Sequence, residues 1–177
     1  FIGRREDKRK LLPILFEKGK VLLRGQGGIG KTALTAQLAF RWKLRHADSK
    51  IFFFNETSAR IPIIIDAFSK SLDFENAIEL EENLSKIEKI EDYKKKLTFK
   101  VQALCQALDE HQETPLFIFD NLESFQADKG GAFATEHQEF GFFLQEFVRQ
   151  VDTPVILTAR YPLTDVGGLV DHPLRQA

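Results

Sequence analysis

Four short apolar runs divide the chain, and polar residues follow each of them. The runs cover residues 21–23, 51–54, 116–119 and 154–157. Uninterrupted apolar runs of this length are typical of strands buried on both faces, as in a parallel sheet covered by helices. We therefore predict four buried strands that lie parallel in one sheet.

Between the runs, apolar residues recur at helical spacing. Residues 32–44 place Leu34, Leu38 and Trp42 on one face, and residues 136–150 carry a similar face rich in phenylalanine. Faces of this kind pack against a sheet. Strands that alternate with helices predict an α/β fold in which helices flank a parallel sheet.

The composition favours a single globular domain over residues 1–177. Of these residues, 43% are hydrophobic and 29% are charged, and the formal net charge is −1. This charge gives no sign of nucleic-acid binding, and no apolar run approaches the ~18 residues that a membrane span needs. The single cysteine, Cys105, agrees with a reducing compartment and predicts a cytoplasmic protein. Its position on the apolar side of a helix indicates a core residue and not a nucleophile.

Two segments depart from the regular alternation. Residues 73–96 are rich in glutamate and then lysine, while leucine and isoleucine keep helical spacing, so we predict an acidic helical insertion. Its charged face either docks a partner or is a solvated face of a helix packed on its own domain. Residues 161–177 contain two prolines and two glycines and predict a C-terminal loop. Because the chain lacks methionine and opens inside a motif, we expect it to be a piece of a longer protein.

The candidate chemistry centres on residues 25–32, Gly-Gln-Gly-Gly-Ile-Gly-Lys-Thr. They match the phosphate-loop pattern and lie between a predicted strand and a predicted helix. Backbone N–H groups of such a loop bind phosphate at the helix N-terminus, and glycine leaves no side chain in the way. Lys31 would contact the β- and γ-phosphates, and Thr32 would bind Mg²⁺. The predicted nucleotide-binding residues of the loop are Gly25, Gly27, Gly28, Ile29, Gly30, Lys31, Thr32 and Ala33.

Three further candidates follow the third and fourth apolar runs. Asp120 ends an apolar run, and a buried carboxylate needs a partner such as Mg²⁺, although a turn or a helix cap is the alternative. Glu123 either orients or deprotonates the attacking water or is a plain surface carboxylate. Arg160 suits recognition of the γ-phosphate, with a surface salt bridge as the alternative. Lys31, Asp120, Glu123 and Arg160 are thus the predicted catalytic residues.

Taken together, these motifs resemble the STAND class of signalling NTPases, NB-ARC/NACHT-like relatives of apoptotic ATPases and plant resistance proteins. The resemblance starts with Phe-Ile-Gly-Arg at 1–4 and the phosphate loop. It continues with Phe-Ile-Phe-Asp-Asn-Leu-Glu at 117–123 and Leu-Thr-Ala-Arg at 157–160. The four motifs stand in the family's order and span nearly the whole chain.

The resemblance implies a three-layer P-loop NTPase fold of the ASCE type. Its core strands would lie in the order 5-1-4-3-2, with strand 5 either present in this chain or missing from it. Ile2 and Arg4 would line the adenine side of the pocket, Thr32 and Asp120 would hold Mg²⁺, and Arg160 would be a sensor. The family also implies an ATP/ADP switch that self-oligomerises and works with other domains, including a winged-helix part after residue 177.

One departure and several rival functions bear on this expectation. Asn121 stands where many relatives carry a second acid, so we expect slow ATP hydrolysis. An AAA-type remodeller or a nucleic-acid translocase would show a pore loop or a continuous basic face, and the sequence shows neither. A small-molecule kinase would need an arginine-rich lid, and a GTPase would need an Asn-Lys-x-Asp guanine reader. A non-catalytic scaffold that holds ADP permanently is an alternative from another class.

Overall fold

A parallel sheet of five strands is the framework of the fold. The structure, a computed structural model, describes residues 4–109 and 114–175. In chain order the strands are β1 (Lys20–Arg24), β2 (Ile51–Phe54), β3 (Leu116–Phe119), β4 (Val155–Ala159) and β5 (Val170–Pro173). They lie in the order β2-β3-β4-β1-β5, and every neighbouring pair is parallel. The predicted order 5-1-4-3-2 is therefore confirmed, with the fifth strand present.

In the described part of the chain, six helices cover the two faces of this sheet. The helices are α1 (Arg5–Phe16), α2 (Lys31–Arg45), α3 (Ile61–Ser69), α4 (Phe74–Ile87), α5 (Tyr93–Asp109) and α6 (Gln138–Gln150). Buried residues of α1 and α2 form one apolar core with the sheet, and those of α3 to α6 form another. Short 3₁₀ turns at Leu122–Phe125 and Thr135–His137 lie between β3 and α6. The predicted three-layer α/β architecture is confirmed.

Residues of the central strands alternate between the two cores, which explains why their sequences are apolar throughout. In β3, for example, Phe117 and Phe119 face the core of α3 to α6, while Ile118 faces α1 and α2. The prediction of a fully buried strand is wrong for β2. Phe53 is 49% exposed because β2 is the edge strand and α2 packs over β3 and β4 instead.

A second correction concerns residues 161–177, which we predicted to be a loop. Residues 170–173 form β5, which pairs with β1, and the Leu174 N–H donates to the Arg24 carbonyl at 2.7 Å. The strand escaped prediction because its sequence, Val-Asp-His-Pro, contains no apolar run. As an edge strand it is mostly solvent-exposed, and Asp171 pairs with the Arg24 guanidinium at 3.0 Å.

The acidic segment 73–96 is helical over α4. The Asp73 carboxylate accepts a hydrogen bond from the Asn76 N–H at 3.0 Å and caps this helix, while Leu80 is buried. That the segment is an insertion stays a prediction.

Cys105, in α5, is half-buried, and burial, with Asp109 nearby, raises the pKa of its thiol to about 12. A protonated, half-buried thiol fits the expected core role. Among the described residues, no helix is both long and apolar enough to cross a membrane.

The aromatic cluster between the sheet and α6 gives a test of the packing. Phe147 is 1% exposed, and its ring lies 4.9 Å from that of Phe117 and 6.1 Å from that of Phe143. Phe147→Ala should lower the free energy of unfolding by about 3–5 kcal/mol, since it leaves a cavity in the core. Phe40→Ala, at a position 61% exposed on α2, is the control and should change it by less than ~0.5 kcal/mol. Urea titrations measure both, and similar losses would contradict this description of the core.

Candidate nucleotide site

The phosphate loop joins the end of β1 to the start of α2, as its sequence predicts. Gly28 and Gly30 have φ angles of 78° and 94°, in the left-handed region that glycine adopts without strain. A Cβ added at Gly27 or Gly28 would meet no atom within 4 Å, so this side of the loop is open. The Gly25 N–H donates to the Ala159 carbonyl at 3.1 Å and fixes the loop to the end of β4.

A cavity of about 820 Å³ lies over this loop. The loop side consists of Gly25, Gly27, Gly28 and Ile29 with Gln26, and none of the lining residues within 4–109 and 114–175 carries a carboxylate. Its volume is in the range of typical ligand pockets. Arg24 directly precedes the loop, and the remaining lining residues come from three other segments of the chain: Lys129, Arg160 with Tyr161, and Pro173 with Leu174.

The strand order gives the cavity two different ends. Pro173 ends β5 and Leu174 follows it on one side of β1, while Arg160 and Tyr161 follow β4 on the other side. Arg24 lies beside Pro173, but Asp171 offsets its charge at 3.0 Å. We therefore call the β5 side the apolar end and the side with Arg160 the cationic end. The Arg160 guanidinium carbon lies 5.6 Å from the centre of the Tyr161 ring, and the side chain is exposed.

Lys31 connects the cavity to a cluster of polar residues beside it. Its side chain is 8% exposed, and Nζ donates to the Gly25 carbonyl at 2.8 Å. The same ammonium lies 3.3 Å from Glu123 Oε1. Lys31 and Glu123 are thus brought together by the loop and by the 3₁₀ turn after β3. Their catalytic roles stay predictions.

Asp120 is the centre of this cluster. The residue is 7% exposed, and its two carboxylate oxygens accept hydrogen bonds from Thr32 Oγ1 at 2.9 Å and Thr158 Oγ1 at 2.5 Å. The Thr158 hydroxyl also accepts from the Asn121 N–H at 2.9 Å. The carboxylate therefore lies among hydroxyl groups from the start of α2 and the end of β4.

The donor set of Thr32 and Asp120 fits Mg²⁺. One hydroxyl and one carboxylate, both oxygen ligands, lie side by side, and Mg²⁺ in nucleotide sites uses one or two protein oxygens together with phosphate and water. Within the described ranges, no group of three or more His, Cys, Asp or Glu side chains could hold a metal by itself. These residues suit a metal that arrives with a nucleotide better than a permanent metal centre.

Arg4 contacts the phosphate loop at the Ile29 carbonyl. Its backbone has a φ of 62°, and its guanidinium donates to the Ile29 carbonyl at 2.7 Å and lies 3.4 Å from the Asp7 carboxylate. Asp7 also contacts His172 Nε2 at 2.8 Å. Burial acts against the Asp7 charge, but the hydrogen bonds from His172 and Arg4 outweigh it and hold the pKa of this carboxyl below its usual range. Arg4 thus lies on the Ile29 side of the cavity.

Within the described part of the chain, four of the predicted nucleotide-binding residues line the cavity: Gly25, Gly27, Gly28 and Ile29. Arg4, Gly30, Lys31 and Thr32 are not among the lining residues, and their roles stay predictions. Two further predicted residues are Ile2 and Ala33. Ile2 lies outside the described residues. Ala33 is half-buried in the first turn of α2, next to Thr32, and does not line the cavity. Both assignments remain predictions.

Neither Thr158 nor Lys129 was among the predicted site residues. Thr158 is a fully buried hydroxyl in an otherwise apolar strand, and this polarity was a signal that could have been used. Lys129 gave no such signal, because it lies in a loop far along the chain and reaches the cavity only through tertiary structure.

Comparison with solved structures shows the same fold in two proteins from Aeropyrum pernix. The first is the ORC1 protein in complex with DNA, with 14% identity, a TM-score of 0.56, and coverage of 97% of this chain and 45% of that chain. The second is the ORC2 protein in its ADPNP-ADP complexes, with 15% identity, a TM-score of 0.57, and coverage of 98% and 48%. This chain therefore spans about half the length of these proteins. At such identities the likeness concerns the fold alone.

Comparison with sequences identifies the family. A search of curated proteins gave no significant match. The model of the NACHT domain matches residues 20–162, which include the phosphate loop, Asp120, Glu123 and Arg160. Since this match covers most of the chain and agrees with the strand order of the sheet, the chain belongs to the NACHT-domain family of P-loop NTPases.

Proposed function

We propose that this domain binds ATP and ADP with Mg²⁺ and acts as a nucleotide-dependent oligomerisation switch with slow hydrolysis. The observation that carries the proposal is a cavity over a glycine-rich loop, with no carboxylate among its described lining residues and with Lys31 bonded to the Gly25 carbonyl of that loop. A polyanion is the ligand that such a lining favours. A cytoplasmic location is part of the same proposal and is supported by the single cysteine.

The two ends of the cavity suggest how the nucleotide lies. The base would occupy the apolar end, near Ile29, Pro173 and Leu174, and the phosphates would follow the loop towards Arg160. The similar fold of the ORC2 protein was solved in ADPNP-ADP complexes, which supports an adenine nucleotide. The DNA bound by the ORC1 protein has no counterpart in our proposal, because this chain has a net charge of −1 and lacks a basic footprint.

We infer slow hydrolysis from two features: Asn121 replaces an acid that many relatives carry, and Lys31 contacts Glu123. Asn121, at the position of the second acid in many relatives, has a φ of 64°, a conformation that asparagine tolerates better than most residues. Its side chain donates to Ser124 Oγ at 3.2 Å and so helps to hold the turn that carries Glu123. Glu123 is then the carboxylate proposed to orient or deprotonate water, and its contact with Lys31 restrains it.

Lys31 provides the direct test of nucleotide binding. Lys31→Ala should raise the Kd for both ATP and ADP about 10- to 100-fold, because it removes a charge-assisted hydrogen bond to phosphate. Lys89→Ala is the matched control, since Lys89 is an exposed lysine just after α4 that does not line the cavity. Fluorescent nucleotide titrations give both constants. An unchanged Kd in Lys31→Ala would exclude the proposed site.

Asp120 tests the role of Mg²⁺. When bound with the nucleotide, the ion would neutralise phosphate charge, and Thr32 and Asp120 would hold it. Asp120→Asn should reduce the gain in ATP affinity caused by Mg²⁺ about tenfold, while binding in EDTA changes little, because the amide is a weaker ligand of nearly the same shape. Isothermal titration with and without Mg²⁺ measures this difference, with the exposed Glu81→Gln as control. Equal Mg²⁺ dependence in Asp120→Asn would contradict the assignment.

Arg160 tests the switch. A ligand shifts an equilibrium only by its different affinity for the two states, so Arg160 must contact the γ-phosphate in one of them. Arg160→Ala should reduce the difference between ATP and ADP in promoting self-association about tenfold, within the usual range of coupling energies. Sedimentation velocity in each nucleotide measures this difference, and Arg41→Ala, an exposed arginine on α2, is the control.

The same experiment separates the switch from the scaffold alternative. A wild-type protein that sediments identically in ATP and ADP, retains ADP through purification and shows no turnover would be a scaffold and not a switch. If the difference in self-association between ATP and ADP is as large in Arg160→Ala as in the wild type, the domain is still a switch, but Arg160 has no part in it.

A further inference from the structure

A short hairpin over residues 126–133 brings a lysine to the mouth of the cavity. Gln126 and Phe133 form an antiparallel bridge, and the Ala127 N–H donates to the Ala132 carbonyl at 2.9 Å. Within the turn, the Gly130 N–H donates to the Asp128 carboxylate at 2.6 Å. Lys129 therefore lies in a closed turn between the two bridged residues of the hairpin.

This hairpin is attached to the segment that follows β4. The Gln126 side-chain amide donates to the Pro162 carbonyl at 2.7 Å and to the Gly131 carbonyl at 3.2 Å. The Phe133 N–H donates to the Asp165 carboxylate at 2.9 Å. The segment held in this way begins immediately after Arg160, so the hairpin and Arg160 are positioned by the same piece of backbone.

Gly131 makes the attachment possible. Its φ is 89°, and a Cβ at this position would overlap the Pro162 carbonyl oxygen. Only glycine therefore permits both the backbone conformation and the close approach of the hairpin to the chain after β4. The position of Lys129 depends on this contact.

Lys129 and Arg160 line the cavity together at its cationic end. Neither side chain forms a salt bridge within residues 4–109 and 114–175, and both are exposed. By contrast, the third cation of the lining, Arg24, pairs with Asp171 at 3.0 Å. Two unpaired cations that share one end of a cavity repel each other, and an anion placed there removes this repulsion.

We propose that Lys129 is a specificity-determining residue that contacts the terminal phosphate of ATP and so favours ATP over ADP. This inference rests on the proposed function, and in particular on the base lying at the apolar end. With the base at that end, the γ-phosphate is the group that extends towards the cationic end. Lys129 and Arg160 come from different segments of the chain, and each brings a positive charge to this phosphate. ADP lacks the γ-phosphate and leaves Lys129 without an anionic partner.

The test compares ATP with ADP in the wild-type chain and four variants. Lys129→Ala should raise the Kd for ATP about fivefold and change the Kd for ADP less than about twofold. Lys129→Arg should retain most of the preference, because it keeps the charge. Lys89→Ala is the control for loss of an exposed lysine. Fluorescent nucleotide titrations at low and high salt give the constants, and the ATP-specific effect should shrink as salt screens it.

Gly131→Ala tests the positioning with Lys129 still present. It should reduce the preference for ATP in the same way as Lys129→Ala, since the hairpin must move away from Pro162. If this variant unfolds, as circular dichroism would show, the Lys129 variants alone decide the result. Equal changes in the constants for ATP and ADP in Lys129→Ala, or no change in either, would overturn the inference.

The outcomes separate this inference from the proposed function. A wild-type chain that binds neither nucleotide, or a Lys31→Ala variant that binds both normally, rejects the proposed function and this inference with it. If Lys31→Ala loses nucleotide binding but Lys129→Ala leaves the ratio of the Kd values for ATP and ADP unchanged, only the role of Lys129 is rejected.

Discussion

The candidate site depends on the hydrogen bonds that the buried Asp120 carboxylate accepts. Asp120 is 7% exposed, and its oxygens accept hydrogen bonds from Thr32 at 2.9 Å and Thr158 at 2.5 Å. Thr32 lies at the start of α2 and Thr158 near the end of β4, so one side chain links the helix after the phosphate loop to two adjacent strands. An unpaired carboxylate in this position would be strongly destabilising. These three elements therefore have one favourable arrangement, and it places the loop at the carboxyl edge of the sheet.

The direction of the cavity follows from the strand order around β1. Strand β5 lies on one side and contributes Pro173 and Leu174, while β4 lies on the other and leads to Arg160. A ligand with an apolar ring at one end and anionic groups at the other has one favourable orientation in such a cavity. The same segment after β4 carries the contacts of the hairpin that ends in Lys129. The strand order and this hairpin thus place Arg160 and Lys129 at one end, while Asp171 offsets the charge of Arg24 on the β5 side.

The parts of the fold that the sequence predicts are those with a local signal. The run 116–119 is apolar throughout because it is buried on both faces, and that pattern is visible without any structure. Exposure of Phe53 depends on which strand lies at the edge, and residues 170–173 become a strand only because β1 offers a free edge. The contacts of Thr158 and Lys129 depend on segments distant in the chain. Such features arise from tertiary packing, which periodicity does not encode.

The internal contacts of Lys31 connect nucleotide binding to the proposed catalytic carboxylate. Its ammonium is satisfied by the Gly25 carbonyl at 2.8 Å and by Glu123 at 3.3 Å, so a phosphate must replace these contacts, and the net gain is less than the gross attraction. The other oxygen of Glu123 is buried and has no hydrogen-bond partner within the described part of the chain. A carboxylate that loses Lys31 would need a new donor, and water is one. Any ligand that draws Lys31 away from Glu123 therefore also changes the hydrogen bonding of this carboxylate.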